Sequence, residues 1–139
     1  MDGRAFLQVA REVFRGRTEA HWRSAAGRAY YALMLECRAA LQRWGFQVPH
    51  GPGVHNFVRL RFSRTGDADL QAISDDLDWM CRVRNYADYE LPVSLSFVND
   101  IKAGETIARA TNALALLDAI ETDPTRRAAA VAAIRAAWP

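Results

Sequence analysis

The 139-residue sequence predicts an all-α protein, an up-and-down antiparallel helical bundle of five or six helices in one domain spanning residues 1–139. Three observations lead there. No stretch sustains the period-two alternation of β-branched residues that marks a strand. Alanine, leucine and arginine, all good helix formers, dominate the chain. Apolar residues recur at helical spacing, in segments cut apart by glycine, proline and capping residues.

The first helix is expected over Arg4 to Phe14, with Phe6, Leu7, Ala10, Val13 and Phe14 on one side, and Gly16 stops it. Thr18 is placed to cap a long second helix from Glu19 to Trp44, along which Trp22, Ala25, Ala26, Ala29, Leu33, Cys37, Ala40 and Trp44 form a stripe. Its first half, rich in alanine and Gly27, lets a neighbouring helix approach closely. Gly45 ends it, and "GFQVPHGPG" reads as a loop. A short helix from Val54 to Ser63 follows. "RTGDAD" turns the chain, with Asp67 or Asp69 capping a fourth helix that runs to Asp88. After the break at Leu91-Pro92, Ser96 is expected to cap a fifth helix from Phe97 to Ile120. Asp123-Pro124 pairs a cap with a first-turn proline and starts a terminal helix ending near Trp138.

The composition, 50% hydrophobic and 24% charged, is ordinary for a globular chain and large enough for a real core. No apolar run approaches the ~20 residues of a membrane span. The start, "MDGRAFLQVAREVF", lacks the pattern of a signal peptide, so a cytoplasmic protein without membrane association is expected. Cys37 and Cys81 fall inside helical apolar patterns and read as free thiols. Neither paired cysteines nor an HExxH spacing suggests a metal, and no cofactor is expected.

Charge is unevenly spread. Residues 1–64 hold 11 arginines and 4 acids, and residues 65–139 hold 7 basic residues and 12 acids. The split suits complementary surfaces meeting within the fold, or a basic face for RNA or an acidic protein.

The segment "CRVRNYADYE" (81–90) carries the chemistry of most interest. On a helical wheel Leu70, Ile73, Leu77, Met80 and Cys81 form a stripe that Arg84 and Asp88 continue, as a half-buried ion pair or the lip of a pocket. Trp79, Val83 and Tyr86 lie on the other side and suit a subunit or protein interface, a homodimer being the simplest case.

Three segments, "GRAYYALMLECRAAL" (27–41), "PHGPGVHNFVRLRFSRTG" (49–66) and "DDLDWMCRVRNYADYEL" (75–91), resemble small prokaryotic HEPN-domain proteins. These share an Arg-Ala-Tyr-Tyr-Ala helix, a histidine-containing loop and an Arg-x-x-Ala-Asp-Tyr motif. The resemblance implies a helical bundle, commonly dimeric. It also implies company with minimal nucleotidyltransferases in toxin–antitoxin or defence-type systems.

Many HEPN proteins are metal-independent endoribonucleases whose signature is arginine, a polar residue and, a few positions on, histidine, paired across a dimer. Histidine suits proton transfer near neutral pH, and arginine suits the charge developing on phosphate. Arg84-Asn85 matches the first half. Where the histidine would fall this chain has Tyr89, Glu90 and Leu91. A tyrosine, with a pKa of about 10, is a poor base at neutral pH.

The expectation is therefore a HEPN-like partner or RNA-binding component of such a system. The first alternative is an endoribonuclease with Arg84, Asn85, Asp88 and Tyr89 in the site and His50 or His55 replacing the missing histidine. The second is a protein-binding adaptor. Arg59, Arg61 and Arg64 in "VRLRFSR" are the candidate RNA-binding residues. By the same resemblance, Tyr86 or Tyr89 would be the acceptor if a partner nucleotidyltransferase modifies this chain.

Overall fold

Side-chain caps start three of the six helices in the computed structural model, which describes residues 2–92 and 95–138. The six helices are α1 (Arg4–Phe14), α2 (Glu19–Arg43), α3 (Val54–Ser63), α4 (Ala68–Tyr89), α5 (Ile101–Thr122) and α6 (Pro124–Ala137). The Thr18 side chain accepts from the His21 N–H at the start of α2. Asp67 accepts from Asp69 and Leu70 at the start of α4, and Asp123 from Thr125 and Arg126 at the start of α6. No strand is present among the described residues, and the all-α bundle expected from the sequence is the architecture observed.

α2 is the axis of the bundle and packs against α1, α4 and α5. α2 runs antiparallel to α1 and α4, whereas α5, antiparallel to α4, runs parallel to α2, with Arg43 and Glu121 paired at their carboxyl ends. The start of α1 lies beside Glu36 and its end beside His21, while the start of α2 meets the end of α4 through Arg23 and Ala87. Arg109 of α5 reaches Asp76 of α4 at 3.0 Å, and Lys102 lies over Trp79. Leu33 and Leu41 of α2, Ile73 and Met80 of α4 and Ile120 of α5 are wholly buried. Each such side chain contributes about 1.5–3 kcal/mol of hydrophobic stabilisation.

The small residues of α2 do what their size allows. Ala25, Ala26 and Ala29 are fully buried, and a Cβ on Gly27 would sit 3.6 Å from Asp88 Oδ1 and 3.8 Å from Arg84 Cγ. α4 therefore lays its charged pair directly on the α2 backbone.

The fifth helix departs from expectation. It begins at Ile101 and not at Phe97, and Leu95–Phe97 is a separate 3-10 turn. Phe97 is buried against Ala26 and Ala87, which draws its segment out of the helix line. The Asn99 side chain accepts from the Ile101 N–H at 3.0 Å where the helix starts, the position expected for Ser96.

Candidate functional site

Three helices converge around Arg84. The last two turns of α4 carry Arg84, Asn85, Asp88 and Tyr89, α2 supplies Tyr30 and Tyr31, and the first turn of α3 supplies His55. α3 can start there because Gly51, at φ +91°, turns the loop and its carbonyl accepts from the Val54 N–H.

The Arg84 guanidinium is heavily engaged. It donates to the Tyr31 hydroxyl at 2.8 Å and to Asn85 Oδ1 at 3.0 Å. Asp88 Oδ2 lies 3.0 Å from Nε, though off the N–H axis, so the contact is an ion pair without a hydrogen bond. The Tyr31 and Tyr89 rings lie 5.2 and 5.4 Å from the guanidinium carbon. Burial opposes the charged form, but Tyr31, Asp88 and Tyr89 outweigh it and raise the Arg84 pKa. Its side chain is only 18% exposed.

His55 completes the cluster. Its ring stacks on Tyr30 at 5.8 Å and 17°, with Nδ1 2.6 Å from the Tyr30 hydroxyl. Tyr31 meets the same imidazole edge-on at 6.2 Å, so the two tyrosines bridge His55 to Arg84. Burial first, then Cys81, keeps the Tyr30 phenol protonated far above its ordinary range. Burial first, then the Arg84 charge, pushes the His55 pKa down. The Tyr30 hydroxyl either donates to Nδ1 or accepts from it, according to the imidazole tautomer.

The other candidates divide. His50 is exposed in the loop before α3 and is not among the residues around Arg84. Arg59 approaches Asp78 at 3.6 Å and, with His55, Cys81 and Arg82, lines a cavity of about 120 Å³. Arg61 is held between the Phe57 and Trp138 rings, at 4.0 and 3.9 Å, and Arg64 points to the same Trp138. The three arginines thus do not share one surface: Arg59 belongs to the His55 side and the others to the end of α6.

No protein-family model, curated protein or solved structure matches the chain. The site therefore rests on its own geometry.

Trp79, Val83 and Tyr86 lie where α5 and the 3-10 turn cover much of that face. Arg109 lies 4.1 Å from the Trp79 ring centre, Val83 packs against the Phe97 cluster, and Tyr86 stacks on Phe97 at 6.4 Å. The larger exposed apolar surface is further along, at Tyr89, Leu91, Leu95, Val98 and Ile101.

One residue that sequence reasoning passed over organises this end. Arg23, 8% exposed, donates to the carbonyls of Tyr86, Ala87, Glu90 and Pro92, at 3.3, 2.9, 2.6 and 3.3 Å. These are carbonyls around the end of α4, where the helix has no further N–H groups to offer, so α2 caps α4 from outside. Its signal was an arginine sharing a helix face with Ala26, Gly27 and Tyr30, all buried.

Among the described residues no cluster of histidine, cysteine and carboxylate could hold a metal ion, and no helix is long and apolar enough to cross a membrane.

Proposed function

We propose that this chain is a HEPN-like partner or RNA-binding component of a cytoplasmic toxin–antitoxin or defence-type system, working beside a nucleotidyltransferase-like protein. The observation that carries this reading is the engagement of Arg84. Its bond to Tyr31 ties α4 to α2, and with its contacts to Asn85 and Asp88 within α4 it leaves little of the guanidinium for an attacked phosphate. His55 stands beside it with Nδ1 paired to the Tyr30 hydroxyl, which leaves Nε2 as its other polar atom for a phosphate oxygen. A homodimer fits the same reading. The apolar residues exposed at the end of α4 and the start of α5 would meet their copies there and set two Arg84 clusters near one another.

A second reading has one observation in its favour. His55 reaches Arg84 through two bridging tyrosines, so an arginine and a histidine share one site although the linear motif lacks the histidine. That is the metal-independent endoribonuclease.

Incubating the purified protein with a mixed cellular RNA pool in EDTA separates the two. On the binding reading RNA stays intact, is retained in a salt-sensitive complex, and is retained less by His55→Ala. Cleavage by the parent chain, lost in folded Arg84→Ala and His55→Ala variants, would establish the nuclease instead.

A further inference from the structure

At the other end of α2 lies an open groove of about 800 Å³ between the end of that helix and α6. One face of α6 lines it: Arg127, Ala128, Val131, Ala132 and Arg135 recur at the three- and four-residue spacing of a single helical stripe. A different face of α6, with Ala130 and Ile134, is buried in the core. The opposite wall is Arg43 and Trp44, with Glu121 beside them paired to Arg43.

The groove has an apolar floor of small side chains and a cationic rim. Arg127 has no side-chain partner among the described residues. Arg135 has only the Phe46 ring, 5.7 Å away, and Arg43 is held by Glu121. Trp44 is 6% exposed and stacked on Phe62, yet its indole N–H is buried without an acceptor.

We infer that this groove receives an acidic amphipathic helix of a partner protein. Ala128 and Ala132 let a helix backbone approach closely, and its apolar side chains would rest on Val131. Its carboxylates would fork onto Arg127 and Arg135. A protein helix fits better than RNA because the floor offers no exposed aromatic ring on which a base could stack: Trp44 is covered by Phe62. The inference is independent of the RNA reading, since the groove lies at the carboxyl end of α2 and the Arg84 cluster meets that helix near its middle, at Gly27 and Tyr31.

The test uses the full chain and a fluorescent synthetic helix of about four turns, with glutamates flanking a leucine–alanine stripe. Its Glu→Gln counterpart and a single-stranded RNA oligonucleotide serve as competitors. Saturable binding is expected, weakened about tenfold or more by Glu→Gln in the peptide or by Arg127→Glu in the protein. Ala132→Trp, which fills the floor, should abolish it, and the Trp44 indole N–H resonance, assigned with Trp44→Phe, should shift on binding. Arg127 and Ala132 are both exposed, so circular dichroism should show the fold intact, and Arg127→Gln provides a milder second variant. No saturation by about 1 mM peptide overturns the inference. Binding that ignores Arg127→Glu or Ala132→Trp overturns it as well. RNA displacing the peptide and losing affinity in the same variants would overturn it in favour of a nucleic-acid groove.

Discussion

The two ends of α2 use arginine in opposite ways. Along the amino-terminal half Arg23 is buried and Arg84 half-buried, and their donors go to carbonyls, a hydroxyl and side-chain oxygens of the chain itself. At the carboxyl-terminal end Arg127 stands without a side-chain partner among the described residues and Arg135 with one ring. Residue type alone does not distinguish the two sets. The first end holds the helices together and the second is free to hold something else. The arginine in the family-like motif is thus the more committed of the two kinds.

The largest expected effect tests that contrast directly. Arg23→Met should lose about 2–4 kcal/mol in urea denaturation, because it leaves buried carbonyls uncapped and Glu19 without its partner. Hydrogen exchange at the end of α4 should rise with it. Arg127→Met should leave the midpoint unchanged, since an exposed arginine without a partner has little to lose. Equal costs at the two positions would erase the distinction.

A smaller effect sharpens the amino-terminal end. His55 has its pKa lowered in the folded protein by burial and by Arg84. The unfolded chain then binds more protons between the folded value and about 6.5, so stability rises with pH across that window. The contribution is present above the unfolded value and is lost as pH falls through the folded one. Denaturation curves from pH 8 to pH 5 should show this loss in the parent chain and a shallower slope in His55→Ala. An unchanged slope would place the imidazole in ordinary solvent and separate it from Arg84.

The helices were legible because their signals are local. Thr18, Asp67 and Asp123 each accept from backbone N–H groups within three residues, and such caps can be read from neighbours in the chain. The start of α5 was misplaced because burial of Phe97 against α2 and α4 overrode a good capping serine. The motif around Arg84 and its Asp88 partner stood out, as did the small face of α2. The role of Arg23 did not, because the carbonyls it caps lie 63 to 69 residues away. The pairing of His55 with Tyr30 was hidden in the same way: only the path of the loop before α3 decides which of two histidines reaches the cluster.

The smallest effect concerns why α2 has a glycine at position 27. Glycine in a helix interior costs roughly 0.5–1 kcal/mol relative to alanine, so Gly27 needs a reason in packing. The nearest atoms to an added Cβ, at 3.6 to 3.9 Å, are at ordinary van der Waals distance. Gly27→Ala should therefore fit without moving α4 and stabilise the protein by about 0.5 kcal/mol. Gly27→Leu, by contrast, should push Arg84 and Asp88 away and lower stability by about 1–3 kcal/mol. If Gly27→Ala destabilises instead, the approach of α4 is closer than these distances allow. The Arg84–Asp88 pair would then depend on bare backbone at that position, and the clamp would be tighter than the argument above requires.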